Sequence, residues 1–228
     1  MKRKKEILLY SILSVLGIFV ISCSKTQQIT AFKQTILQND SILEATINYH
    51  TFSSNDPETD IWLTMINDSI KSTFINTQNQ VYKFSKEDRA YLSDGFPPYQ
   101  VFVEDTLYQV ATNMVSVRFL IYTFTGGAHG NTSIISYNLL PDKKKKLEKA
   151  DIFKNEEQAK IDALLSKYFK NQDSCFSMMP TLELASVVNF SKDSVFFTYE
   201  NYVLGPYSCG RAEVSVPIVE IKSYLKEQ

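Results

Sequence analysis

The sequence is poor in the residues that carry most enzymatic and metal chemistry. Its 228 residues include two histidines, three cysteines and one tryptophan. Two scattered histidines, with no Cys-x-x-Cys or His-x-x-x-His spacing, do not supply the three or four convergent ligands a metal needs. No Gly-x-Ser-x-Gly nucleophile elbow is present either. Nor is there an excess of charge of either sign. The balance of 24 Lys+Arg against 25 Asp+Glu, net -1, excludes a dedicated nucleic-acid binder, which carries a basic surplus. Seven glycines and seven prolines exclude a collagen-like or linker-rich chain. Core material is plentiful by contrast: 44% of residues are hydrophobic and 13% aromatic, more than a disordered chain contains. The length suits one compact domain or two small ones.

Lys2, Arg3, Lys4 and Lys5 precede an apolar stretch from Ile7 to Ile21. That stretch is shorter than the roughly 20 residues of a membrane span and fits the apolar region of a secretory signal. It closes on Val20-Ile21-Ser22-Cys23, which resembles the lipobox of bacterial lipoproteins. The resemblance implies a signal peptide over 1–22, diacylglycerol on the Cys23 sulfur, an acyl chain on its new amine, and a lipidated tether over 23–41. The alternative is a plain signal anchor that happens to end in cysteine. Ser24 is not the Asp associated with inner-membrane retention, and no acidic cluster follows Lys25. The expected location is therefore the cell envelope, lipid-anchored on the periplasmic side of the outer membrane. Removing four positive residues and one negative one leaves a mature chain of net charge -4. Several acyl chains together hold such a body firmly on a bilayer.

With Cys23 assigned to lipid, Cys175 and Cys209 form an even pair in an oxidising compartment and read as a disulfide. A catalytic pairing of either with His129 or His50 has no supporting local signature. Along the chain, Leu43, Ala45, Ile47 and Tyr49 alternate as a half-buried strand does. Asp56-Pro57-Glu58 opens a helix with Trp62, Ile66, Ile70 and Phe74 on one stripe, and Ser85 to Asp88 reads as a second short helix. Tyr99–Val103 and Leu107–Ala111 read as two strands about a turn at Glu104-Asp105. Val115, Val117, Phe119 and Ile121 alternate in a further strand that enters Gly126-Gly127-Ala128-His129-Gly130 and leaves through Ile135, Tyr137 and Leu139, in the order of a hairpin. Asn155 caps a helix with Ile161, Leu164, Leu165 and Tyr168 inward. Val187–Phe190 and Val195–Tyr199 flank a tight turn, Val214–Val216 is a last strand, and Pro217 starts a short helix. Strands and helices in runs predict an α+β fold of antiparallel sheets with a few packed helices, in two closely associated subdomains, 42–118 and 119–228.

The glycine segment fails as a phosphate loop, because Asn131 stands where a Lys is needed and a strand follows instead of a helix. It reads either as a turn whose glycines take positive φ or as a recognition loop. Glu58, Asp60, Asp105 and Glu213 could converge as a catalytic carboxylate pair, though nothing in the sequence selects two of them. Lys143–Lys146 reads as a solvated loop, or as a contact for anionic headgroups or wall polymer.

Two motifs together carry a family resemblance. Tyr122-Thr123-Phe124-Thr125-Gly126-Gly127-Ala128-His129-Gly130-Asn131 is similar to a signature of the RsiV-like C-terminal domain family (DUF3298). So are Tyr202-Val203-Leu204-Gly205-Pro206-Tyr207, Gly210, Val214-Ser215-Val216-Pro217 and Ile221-Lys222-Ser223-Tyr224-Leu225, across about Ile121 to Leu225. Leu43 to Val117 resembles the PdaC/RsiV-type N-terminal module (DUF4163), also found beside a peptidoglycan deacetylase domain. The family includes a membrane-anchored anti-sigma factor whose outer domain binds lysozyme. The resemblance therefore implies a binding domain, with no enzymatic activity, catalytic residue or cofactor. Too few residues precede the apolar stretch for a sigma-binding segment, so that signalling role is not carried over. The contact residues implied are Tyr122, Thr125, Gly126, Gly127, His129, Gly130, Asn131, Tyr202 and Tyr207. The expected partner is a lysozyme-like hydrolase or cell-wall peptidoglycan, with no nucleic acid. A peptidoglycan-acting enzyme with unrecognised carboxylates and a structural envelope lipoprotein are the rival expectations.

Overall fold

A computed structural model describes residues 27–92 and 95–227. The segment expected to be a signal peptide, 1–22, and Cys23, the residue expected to carry lipid, lie outside the described residues. Six strands form one sheet in the order β1-β2-β3-β4-β5-β6, and three form another in the order β7-β8-β9. This is the α+β class expected, with one departure from the antiparallel sheets anticipated: one pair in the large sheet is parallel.

Strand β1 (Ile29–Asn39) pairs antiparallel with β2 (Leu43–Ser54) through a turn in which the Asp40 carboxylate accepts the Ile42 and Leu43 N–H groups, both at 2.9 Å. Most of the segment expected to be a tether is therefore an edge strand. With one face open to solvent it shows little apolar alternation. Strand β2 buries Leu43, Ala45, Ile47 and Tyr49 as the alternation requires.

Helix α1 (Pro57–Asp88) crosses from β2 to β3 (Tyr99–Val110), which pairs parallel with β2. The Asp56 carboxylate caps the helix by accepting the Thr59 N–H at 2.9 Å, and Glu58 and Asp60 favour the same end. The buried stripe runs through Leu63, Ile70, Phe74 and Val81, with Trp62 and Ile66 half-buried beside it. Steps of four residues precess about 40° each around a helix, whereas alternating steps of seven and four stay in line. Residues 85–88 are the last turn of this same helix. Ser85 donates its hydroxyl to the Ile42 carbonyl, and the Arg89 guanidinium then binds the carbonyls of Phe96, Ser41 and Pro97 at 2.7, 2.9 and 3.1 Å.

Strand β3 runs unbroken through Glu104-Asp105, contrary to the turn expected there. Asp105 stays in the sheet by accepting the His50 N–H at 2.6 Å, and the irregularity falls later, between Leu107 and Gln109. Strands β4 (Val115–Phe124), β5 (Asn131–Leu140) and β6 (Lys145–Leu147) complete an antiparallel meander. The lysine run is thus partly an edge strand: Lys144 pairs with Glu58, and Lys146 with Glu148 at 2.9 Å.

Short helix α2 (Lys149–Ile152) and helix α3 (Gln158–Tyr168) lead to the second sheet. Asn155 opens a 3-10 turn over Asn155–Glu157 and does not cap α3, which starts three residues later. Strands β7 (Val187–Phe190), β8 (Ser194–Tyr199) and β9 (Ala212–Pro217) pair antiparallel, and α4 (Ile218–Ile221) follows. Among the described residues no helix is long and apolar enough to cross a membrane.

Helix α1 covers one face of the large sheet, where Phe74 meets Tyr49 and Phe119 edge-on at 5.4 and 5.2 Å. The small sheet covers part of the other face, so β4 is buried on both sides from Val115 to Phe119. Its inward polar side chains pair across the seam, with only Arg118 Nε and Asn189 Oδ1 of this network lacking a hydrogen-bond partner. Ser116 donates to Asn138 Oδ1 at 2.7 Å and accepts from Asn189 and the Phe190 N–H. Arg118 holds Thr198 Oγ1 at 2.8 Å and the Glu213 carboxylate, which also accepts from Tyr108 at 2.7 Å. Burial, with that hydrogen bond second, pushes the Tyr108 phenol well above its ordinary range. The two cores part between Leu139 and Leu140, whereas the expected boundary at 118–119 falls inside β4.

Candidate functional site

The β4–β5 loop and the segment after β8 meet at one end of the molecule. At the loop tip Gly126 and Gly127 take φ of +91° and +90°, a conformation costly for other residues. Gly126 rests near Phe96 and Tyr99. Gly130 is restricted to glycine for a different reason: a Cβ there would stand 2.3–2.5 Å from Cζ, Cε2 and the hydroxyl oxygen of Tyr122. That ring stacks on Phe102, 6.0 Å between centroids and 11° between planes.

His129 stands at the rim of this loop. Its Nδ1–H donates to the Gly130 carbonyl at 2.9 Å, which leaves Nε2 to accept from the Tyr202 hydroxyl at 3.3 Å. The Tyr207 ring lies parallel to the imidazole, 3.9 Å between centroids, and donates its own hydroxyl to Gly130 O at 3.1 Å. Tyr202 and Tyr207 are 5.5 Å apart. Tyr202 has φ of +70° and is 60% exposed, so the chain holds an aromatic side chain outward from a strained backbone. Both ring nitrogens of His129 are engaged by a carbonyl and a phenol, not by a carboxylate. Among the described residues, no carboxylate hydrogen-bonds to the His129 imidazole.

The second half of the cluster is braced from behind. Cys175 and Cys209 are joined by a disulfide with 5.7 Å between Cα atoms. The Ser177 and Met178 N–H groups both donate to Leu204 O at 3.0 Å. A Cβ on Gly205 would lie 3.2 Å from the Cys175 carbonyl and from Phe176 Cα, so the two strands of this loop touch at backbone distance. Glu200 ties the segment to the large sheet by accepting the Ile134 N–H at 2.7 Å.

Of the contact residues expected from sequence, the fold brings Tyr122, His129, Gly130, Tyr202 and Tyr207 together. Thr125 and Gly127 stand exposed at the loop tip and Asn131 enters β5 opposite Thr123. The four acids considered as a catalytic pair each have a separate partner: Glu58 with Lys144, Asp60 with the Ser54 N–H, Asp105 with His50, and Glu213 with Arg118 and Tyr108. Among the described residues no three His, Cys, Asp or Glu side chains gather as a metal site. Sequence reasoning missed the bracing Glu200 and the His50–Asp105 pair, whose Nδ1–Oδ2 distance is 2.9 Å. Both join residues more than fifty positions apart, and no local pattern marks them.

Residues 36–132 match the family model described as Deacetylase PdaC, and residues 150–218 match that described as Protein of unknown function (DUF3298). No curated protein matches the sequence. Among solved structures, a DUF3298 family member from Bacteroides fragilis NCTC 9343 is similar at a TM-score of 0.61 and 15% identity, over 89% of this chain and 94% of that one. A DUF3298 family protein from Pseudomonas aeruginosa PAO1 is similar at 0.57 and 17% identity, over 89% and 95%. These likenesses establish a shared fold. The glycine loop lies in the first matched segment and the two tyrosines in the second, so the aromatic cluster draws on both. The chain thus carries a segment similar to PdaC followed by one similar to DUF3298.

Proposed function

We propose that this chain is a lipid-anchored protein of the bacterial envelope, held through Cys23 at the periplasmic side of the outer membrane, whose two-sheet body binds a partner without transforming it. The observation that carries this reading is the His129–Tyr202–Tyr207 cluster. It is open to solvent at His129 and Tyr202, assembled from both segments, and fixed by a glycine-only contact on one side and a disulfide on the other. Rigid exposed aromatics are the residues on which binding energy concentrates. They lose little conformational freedom when a partner docks. A lysozyme-like hydrolase is the first partner to test, because the two motifs resemble those of a lysozyme-binding relative. Wall glycan is the second, since a sugar ring stacks on the same aromatic faces.

The experiment is calorimetric titration of residues 24–228 with an animal-type lysozyme, beside an assay of lysozyme activity. The expected result is saturable binding with inhibition, weakened at least tenfold by Tyr202→Ala or Tyr207→Ala in variants that still fold. No heat and no inhibition would reject the hydrolase. Full affinity in both variants would reject the surface.

One observation favours a second reading, a peptidoglycan-acting enzyme. His50 is oriented by Asp105, as a general base is. The family description of the first segment also names a deacetylase. Turnover of purified wall by the same protein, abolished by Asp105→Asn, would establish it.

A further inference from the structure

Helix α1 changes character along its length. A helix laid on one face of a sheet needs only one apolar stripe. From Asp68 to Gln80 it keeps to that rule, and every exposed residue there is polar. The first turns do not. Five of the six residues from Ile61 to Ile66 are apolar. Leu63 is buried, Trp62 and Ile66 are half-buried against the core, and Ile61 and Met65 stand 67% and 66% exposed. Those two share one outer stripe at i,i+4 spacing, with Glu58 a turn before them. Glu58 is held by Lys144, so its charge is matched by a cation.

The place of this patch in the chain says what covers it. The Gln27 amide donates to Thr59 Oγ1 at 3.3 Å, and the Gln28 N–H donates to Asn55 Oδ1 at 2.8 Å. The described chain therefore begins beside the first turn of α1. Cys23 stands four positions before Gln27, a reach of at most about 14 Å. The opposite end of α1 lies by the aromatic cluster: Asp88 accepts the Tyr99 hydroxyl at 2.7 Å, and Tyr99 and Phe96 flank Gly126. Thr59 and Asp88 are about 44 Å apart along the helix, at roughly 1.5 Å per residue. Tyr82 and Phe84, which are exposed too, belong to that far end.

We propose that Ile61 and Met65 seat on the surface of a phospholipid bilayer, and that α1 thereby presents the aromatic cluster at the end of the body away from the membrane. The inference rests on the anchoring at Cys23 proposed above. A tether this short makes docking intramolecular, so a patch too small to hold the protein on vesicles from solution suffices once the chain is anchored. A helix seated in this way buries its apolar side about 5–10 Å into the boundary between headgroups and acyl chains.

The test supplies the anchor chemically. Residues 23–228 contain every described element and both cores, and with Cys175 joined to Cys209 the one free thiol is Cys23. That thiol is coupled to a maleimide-bearing lipid in phosphatidylcholine vesicles, made with or without phospholipid brominated near the top of its acyl chains. Trp62 is the single tryptophan and adjoins Ile61, so its emission reports contact without a label. Bromolipid is expected to quench it by about half, the indole lying near the depth of the bromines. Ile61→Gln with Met65→Gln, both at exposed positions, should remove most of the quenching with melting temperature unchanged. Phe84→Gln, at the far end, should leave it intact. No quenching in the coupled parent, full quenching in the double variant, or equal loss in Phe84→Gln would each overturn the proposal. So would a dimer of the uncoupled protein, seen by sedimentation equilibrium and abolished in the double variant, since the patch would then belong to a second copy. Whether cells lipidate Cys23 is read separately, from the mass of the protein extracted from membranes, so failure of anchoring is distinct from failure of docking.

Discussion

Replacing Gly130 by alanine tests whether the loop is shaped by Tyr122. Gly130 is not among the glycines of positive φ, so backbone conformation is no obstacle to a side chain there. Taken alone, the change would stabilise the protein by about 0.4–1 kcal/mol through the unfolded chain. The obstacle is the Tyr122 phenol, two of whose ring carbons and whose oxygen stand 2.3–2.5 Å from the new Cβ. Ordinary contact requires the ring or the loop to move by about an ångström. Either movement disturbs the stack on Phe102 and the Gly130 carbonyl that receives both His129 and Tyr207. Overpacking of this kind costs about 1–3 kcal/mol. The net loss expected is about 1–2 kcal/mol. At roughly 2–4 °C per kcal/mol for a chain of this size, the melting temperature should fall by about 2–8 °C.

Scanning calorimetry of four proteins decides the matter: the parent, Gly130→Ala, Tyr122→Ala and the double variant. With the ring gone, the added methyl should cost nothing or stabilise slightly, giving a coupling of about 1–3 kcal/mol between neighbours in contact. Gly127→Ala serves as the contrast. Its Cβ meets open space, but its φ of +90° should cost about 1–2 kcal/mol whether or not Tyr122 is present. Equal effects of Gly130→Ala with and without the Tyr122 ring would refute the steric account.

Four further outcomes are expected. Tyr202→Gly should raise stability by up to about 1 kcal/mol by relieving a left-handed side-chain-bearing residue, while abolishing partner binding; thermal melting and titration on one sample read both. Reducing Cys175–Cys209, separated by 34 residues, should lower stability by about 3–4 kcal/mol on the loop-entropy model, measured by denaturation with and without reductant. Glu213→Ala should cost about 2–3 kcal/mol by leaving the buried Arg118 guanidinium with no carboxylate, only Thr198 and the Tyr108 ring, whereas Arg118→Met with Glu213→Leu should cost less than the two single changes added. Acid should destabilise the fold. Asp56 is held below its ordinary 3.8 by the Thr59 N–H, and Asp40 is likewise held low by the Gln38 amide and then the Ile42 and Leu43 N–H groups. A lowered carboxyl contributes stability above its unfolded value and loses it as pH falls through the folded one, so melting temperature should drop below about pH 4. Asp56→Asn, which keeps the cap but cannot take up a proton, should drop less.

What was legible in the sequence is what obeys local rules. The alternation of Leu43 to Tyr49, the Asp56-Pro57-Glu58 helix start and the two hairpins each depend on residues a few positions apart, and each is present in the fold. Strand β1 was hidden because an edge strand buries little: Phe32 and Leu37 stay exposed, and nothing in ITAFKQTILQN alternates strongly. Glu104-Asp105 has the composition of a turn, yet the pairing of β3 with β2 and β4 overrides it and hands Asp105 to His50. At the site, sequence marked the right residue types and missed their assembly. His129 lies 73 positions from Tyr202 in the chain, and no spacing rule reports that they share a hydrogen bond. Nor does any rule say that Gly130 is glycine because of Tyr122, a contact across the mouth of one hairpin.

The placement of the cluster across two segments has a physical consequence for how it works. Neither the glycine loop nor the Tyr202–Tyr207 turn can hold the aromatic geometry alone, since His129 takes its stacking from Tyr207 and Tyr207 takes its hydrogen bond from Gly130. Their relative position is set by the seam behind them, where Ser116, Asn138 and Asn189 interlock and Arg118 bridges to Thr198 and Glu213. Buried polar contacts of this kind tolerate little sliding, because a shifted register strands donors that water cannot reach. The seam therefore does for the cluster what a rigid scaffold does for a binding loop. On the binding role proposed above, it fixes the aromatic surface in advance, so that contact energy would not be consumed in ordering the protein. A change at Asn138 or Asn189, far from any partner and silent to surface mapping, should weaken binding through the geometry of His129 and Tyr207 even where the fold survives.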